Sequence, residues 1–116
     1  MLGPIADRLR GIGAVGGFLR ERDCQGQVAA MIIHGVRDAV VSPLSGEASR
    51  DLYLVRNGCD DVAEPSNIEP CLRYQGCQEG MPVEWCPHDE PTYEDTNHGW
   101  PSFASEALAD FFKGLE

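Results

Sequence analysis

Apolar positions along this chain fall into runs of two kinds, continuous and helically spaced. Residues 28–33, V-A-A-M-I-I, carry no charged or amide side chain. Such a run reads as a strand buried on both faces. His34 and Gly35 then predict a tight turn that delivers Asp38 to the loop just past the strand's C-terminal end. Ligands and catalytic groups of open α/β sheets gather at that edge. Upstream, residues 11–17, G-I-G-A-V-G-G, predict a short strand whose glycines allow close backbone approach. Downstream, residues 82–85, P-V-E-W, predict another strand.

Helical spacing occurs twice. Leu44, Ala48, Leu52 and Val55 fall on one helical face over residues 44–56, with Ser42 as N-cap, Pro43 at the first helical position and Asn57-Gly58 as the stop. Over residues 101–115, Phe103, Ala107, Leu108, Phe111, Phe112 and Leu115 share a face opposite Glu106, Asp110 and Lys113. That apolar face needs a sheet to bury against. Residues 18–27 form a polar insert carrying Cys24, 60–70 an acidic, proline-bearing loop, and 88–97 a polar, irregular stretch. Residues 71–77 and 81–86 flank Gln78-Glu79-Gly80 and pair either as a hairpin or as a loop clipped by disulfides. The expected fold class is α/β, with about three mostly parallel strands and covering helices.

Charge narrows the range of partners. Nineteen acidic against nine basic residues give a formal net charge of -10, which phosphate backbones and anionic bilayers both repel. Nucleic acid and membrane surfaces are therefore not expected partners. The N-terminus lacks a basic segment followed by an apolar core and cleavage site. The five cysteines, at 24, 59, 71, 77 and 86, are many for 116 residues and point to an oxidising compartment. None of their intervals matches the paired short spacing, about two to four residues, of structural zinc sites. Cys59, Cys71, Cys77 and Cys86 are the disulfide candidates, whereas Cys24, remote from them, is expected to remain unpaired within the chain or to bond outside it.

Asp38 and, sixty residues on, His98 each follow a strand-like run in the order acid, then histidine. That is the order of an α/β-hydrolase triad after its serine. The serines at 42, 45, 49, 66, 102 and 105 include none in a G-x-S-x-G elbow between a strand and a helix, and no cysteine has that setting. No nucleophile is therefore expected in this chain. A metal site built from His34, Asp38, His88, Asp89 or His98 lacks any recurring ligand spacing, so no metal and no cofactor is expected. His34 reads as a turn residue capping its strand.

Taken together, Ile33-His34-Gly35-x-x-Asp38-x-x-Val41, Asn57-Gly58-Cys59, Cys71-x-x-Tyr74-x-Gly76-Cys77, Pro82-Val83-x-Trp85-Cys86 and His98-x-Trp100-Pro101-x-Phe103-Ala104, followed by Phe111-Phe112, resemble the C-terminal part of secreted feruloyl esterases. The wider group includes acetylxylan esterases and extracellular polyhydroxybutyrate depolymerases. The resemblance runs from about Ile5 onward. It implies that residues 1–116 are the C-terminal portion of one α/β-hydrolase catalytic domain whose nucleophile-bearing N-terminal part lies outside this sequence. By resemblance Asp38 is the acid, His98 the base, and Tyr93 and Trp100 line the site for an ester of a hydroxycinnamic acid on a polysaccharide. It also implies secretion, two bridges among the last four cysteines, and a partner for Cys24 outside the chain. Of the three possible pairings, Cys59 with Cys77 and Cys71 with Cys86 suits a hairpin centred near Gln78. Alone, such a piece is expected to be inactive and to dimerise or aggregate through an uncovered sheet edge. The competing reading is a non-catalytic, cysteine-rich secreted binding module.

Overall fold

The computed structural model describes residues 11–17 and 27–115. In chain order the elements are β1 (Gly11–Val15), β2 (Ala29–Gly35), α1 (Pro43–Arg56), β3 (Ala63–Pro65), β4 (Leu72–Tyr74), β5 (Val83–His88), α2 (Thr92–Asp95) and α3 (Ala104–Lys113). The five strands form one sheet in the order β1-β2-β5-β4-β3. β1, β2 and β5 are mutually parallel, while β4 runs antiparallel to β5 and β3 antiparallel to β4. Three mostly parallel strands were expected. The additional pair arises because β4 folds back along β5, Leu72 opposite Trp85, and β3 then pairs with β4 inside a segment expected to be loop.

β2 is fully buried because it lies between two parallel neighbours and two helical layers. Val28, Ala30 and Ile32 pack toward α1 with Tyr53, Leu54, Val83 and Trp85. Ala29, Met31 and Ile33 pack toward α3 with Ala104, Ala107 and Phe111. Alternate side chains thus enter opposite cores, which is why the run has no polar positions. Burying each large apolar side chain contributes about 1.5–3 kcal/mol. The glycines of β1 serve the α3 layer: a Cβ on Gly13 would stand 2.7 Å from Leu108, and one on Gly11 2.7 Å from Leu115.

α1 begins as expected, with Ser42 Oγ accepting from Leu44 N and Pro43 at the helix start. The face it buries is different. Gly46, Ser49, Tyr53 and Leu54 are buried, whereas Leu44 and Val55 are 71% and 81% exposed and Ala48 is exposed. Small residues at 46 and 49 let the helix axis lie close to the sheet, so shape overrides the apolar stripe. In α3 the buried residues are Ala104, Ala107 and Phe111, with Phe112 39% exposed at the rim.

The disulfides join Cys59 to Cys77 and Cys71 to Cys86. The first packs against the α1-side core and the second lies within the α3-side core, so each face of the sheet carries one covalent clip. Cys24 lies outside the described residues.

Candidate active site

β2 and β5 are adjacent and parallel, so the loops that follow them leave the same edge of the sheet. One carries Asp38 and the other, after α2, carries His98. They meet: His98 Nδ1 lies 2.8 Å from Asp38 Oδ2. The Asp38 side chain is fully buried and that of His98 is 23% exposed. Asp38 Oδ1 accepts from the backbone N–H groups of Val40 and Val41, both at 2.8 Å. Burial alone would push this carboxyl up, but the hydrogen bonds from His98, Val41 and Val40 outweigh it and hold Asp38 below the usual aspartate value. An ionised carboxylate can only accept, so the Nδ1 proton of His98 points at Asp38 and Nε2 is directed away from it.

His34 is not a turn residue. It lies within β2, 1% exposed, on the face covered by α1. Its Nε2 donates to the carbonyl of Val41 across 2.9 Å and sits 3.4 Å from Asp38 Oδ2. The ring thus closes the loop that carries the acid. Gly46 of α1 makes room for it, since a Cβ there would stand 2.7 Å from His34 Nδ1.

Asn97, adjacent to His98, is fully buried with a positive φ of 61°. Its Oδ1 accepts from Arg37 N at 2.6 Å and its Nδ2 donates to Glu90 O at 2.7 Å. Ala39 N donates to Thr96 O at 3.0 Å, a second tie between the two loops. The Thr92 hydroxyl donates to the His98 carbonyl. Glu90 is held in turn by Ser102, whose backbone N–H and hydroxyl both donate to its carboxylate at 2.8 Å. Those bonds lower the Glu90 pKa. Beneath the loop, His88 stands edge-on to Phe103 with ring centroids 5.8 Å apart. Burial pushes this imidazole below its usual value against the pull of Glu90. At the end of β1, Gly16 adopts φ 66° and a Cβ there would stand 3.1 Å from the His98 ring.

Trp100, two residues after His98, is 58% exposed, its indole N–H donating to Ser105 Oγ at 3.2 Å. The side chain of Tyr93 lies outside the described part of the structure. Four of the six serines have hydroxyl partners elsewhere: Ser42 caps α1, Ser49 bonds to Ser45 O, and Ser102 and Ser105 bond to Glu90 and Trp100. Among the described residues no cluster of three or more His, Cys, Asp or Glu could hold a metal ion. No helix among them is long and apolar enough to cross a membrane. Sequence reasoning singles out Asp38 and His98 but misses Asn97 and the buried role of His34. An asparagine immediately before the histidine was the only available signal for the former.

Fold and site together define a mixed α/β domain that presents a buried acid and a half-buried imidazole at the carboxyl edge of its parallel strands. No protein-family model matches the chain. It is similar to feruloyl esterase D of Neurospora crassa, 30% identical over 122 aligned residues that take in 92% of this chain and 40% of that protein. The likeness supports a distant relation, and the chain spans 40% of the length of that relative. Two disulfides fit an oxidising, extracellular compartment.

Proposed function

We propose that this chain supplies the acid and the base of a serine carboxylic ester hydrolase of the feruloyl esterase type, with the nucleophilic serine contributed from outside these 116 residues. The observation that carries the reading is the 2.8 Å bond between His98 Nδ1 and Asp38 Oδ2. In that reading Asp38 fixes the tautomer and tilt of His98. The Nε2 atom takes the hydroxyl proton of the serine as its oxygen attacks the ester carbonyl, and returns that proton to the leaving alcohol as the ester C–O bond breaks. Water then attacks the carbonyl of the acyl-serine, giving a proton to Nε2, which returns it to the serine oxygen as the acyl C–O bond breaks and the carboxylic acid leaves. Backbone amides outside the chain hold the oxyanion. No cofactor takes part.

The similarity to a feruloyl esterase favours an ester of a hydroxycinnamic acid on a plant cell-wall polysaccharide, secreted enzyme and substrate meeting outside the cell. The exposed face of Trp100, two residues after His98, suits a phenolic ring, with Tyr93 as its companion. An acetylxylan esterase or a polyhydroxybutyrate depolymerase would use the same acid and base, so Asp38 and His98 do not choose among these esters. As an isolated chain, it is expected to dimerise or aggregate through an uncovered sheet edge. The competing reading is a non-catalytic secreted binding module, which the two disulfides closed within the chain favour and the fifth cysteine, Cys24, disfavours.

Hydrolysis of methyl ferulate by the purified chain, beside His98→Ala, tests where the serine lies. Both are expected to be inert. Turnover by the chain that His98→Ala abolishes would place the nucleophile within it or in a second copy, and overturn that part of the reading.

A further inference from the structure

We infer that Asn97 is the positioning residue that sets the Asp38–His98 hydrogen bond, by clamping the backbone of the acid loop to the backbone of the base loop. The proposal rests on reading Asp38 and His98 as an acid–base pair. Asn97 immediately precedes the histidine, and the N–H it captures belongs to Arg37, which immediately precedes the acid. Its other amide atom reaches Glu90 O, at the start of the loop that leaves β5. One buried side chain therefore fixes three points: the residue before Asp38, the residue before His98, and the root of the base loop. The position demands a side chain that tolerates a left-handed backbone and offers both a donor and an acceptor, and asparagine meets both demands. The clamp is closed sterically as well. A Cβ on Gly35 would stand 2.0 Å from Asn97 O, so the end of β2 is bare where Asn97 passes over it.

A purely structural amide is available in the same molecule for comparison. Asn57, also fully buried, donates from Nδ2 to Val28 O at 2.8 Å and to Met81 O at 3.1 Å. It ties β2 to β5 at their opposite, amino-terminal ends. Loss of either amide leaves buried backbone groups unpaired, a similar kind of cost to stability. Only Asn97 touches the loops that bring Asp38 and His98 together.

The test is NMR on the full 116-residue chain labelled with ¹⁵N-histidine, with His98→Ala and His34→Ala to assign the ring N–H signals. In the wild-type chain, the Nδ1 proton of His98, bonded to Asp38, gives a low-field, slowly exchanging resonance. Asn97→Gly, which keeps the positive φ and removes both clamp bonds, is expected to lose that resonance while the backbone amide spectrum stays dispersed. Asn57→Ala is expected to keep it. Should Asn97→Gly fail to fold, Asn97→Asp keeps the acceptor for Arg37 N and loses only the donor to Glu90 O. There the resonance is expected to shift and exchange faster. An unmoved, slowly exchanging resonance in a folded Asn97 variant overturns the inference, as does its loss in folded Asn57→Ala. Since the readout is the pair itself, an intact, clamp-dependent resonance in this chain together with no esterase activity in the gene product that carries it with its flanking sequence would count against the proposed function and leave this inference standing.

Discussion

His34 and Gly46 meet at the back of the acid loop: the α1 backbone passes so close to the imidazole that a Cβ at Gly46 would stand 2.7 Å from Nδ1. The ring's other nitrogen bonds Val41 O and lies 3.4 Å from Asp38 Oδ2. Helix, histidine and acid are therefore stacked in contact. In an exposed helix, Gly→Ala gains about 1 kcal/mol. Here the added methyl forces the ring toward the acid, and overpacking costs about 1–3 kcal/mol. Gly46→Ala is expected to destabilise the chain, measured as a lower urea midpoint at unchanged slope. A raised midpoint would show that His34 is free to move aside.

Asp38 also makes stability depend on pH. Its folded pKa lies below the usual aspartate value, so its contribution is complete above that value and is lost as pH falls through the lowered folded pKa. Asp38→Asn should therefore unfold at lower urea than the wild type at neutral pH, the difference narrowing in acid. A difference independent of pH would mean that the charge of Asp38 contributes nothing.

Glu84 behaves in the opposite sense. It is 2% exposed in β5, within 3.4 Å of Arg73 Nη1. Burial raises its pKa despite the opposing pull of Ser66 and Arg73. The folded chain thus binds a proton more readily than the unfolded one, and stability falls as pH rises from the usual glutamate value through the raised folded pKa. Glu84→Gln removes this loss, so its stability relative to the wild type is expected to improve from acid to neutral pH. Urea midpoints at both ends of that range would show it.

Each disulfide closes a loop of modest length, with separations of 18 residues for Cys59–Cys77 and 15 for Cys71–Cys86. Loops of that size correspond to about 3 kcal/mol each in the chain-entropy model. Cys71 and Cys86 are also buried in the α3-side core, so replacing that pair with alanine removes apolar contacts as well. It is expected to cost more than the same change at Cys59 and Cys77, where both residues are only partly buried. Denaturant titrations of the two double variants compare them directly.

What was legible in the sequence follows from where its side chains find their partners. β2 could be read because a strand with helices on both sides needs an unbroken apolar run, and α1 because its N-cap and proline are local signals. The face of α1 could not. Of the stripe Leu44, Ala48, Leu52 and Val55 only Leu52 packs against the core, and the sheet receives Gly46, Ser49 and Tyr53, a choice made by fit against His34 and β2. β3 is a three-residue edge that exists only through its pairing with β4. Asp38 and His98 stood out by their order after strands. Asn97 and His34 did not, because a buried polar residue shows its purpose only once its partners, distant in sequence, are in place.

The most direct test of the acid–base role is kcat/KM for methyl ferulate, measured on the gene product carrying this chain with any sequence that flanks it. Wild type would be compared with Asp38→Asn and His98→Ala. The expected result is a loss on the order of 10⁴-fold in kcat for Asp38→Asn, and for His98→Ala a loss at least as large, with both variants folded. Activity within a few-fold of wild type in either variant would contradict the assignment of Asp38 and His98 as the acid and base of an ester hydrolase.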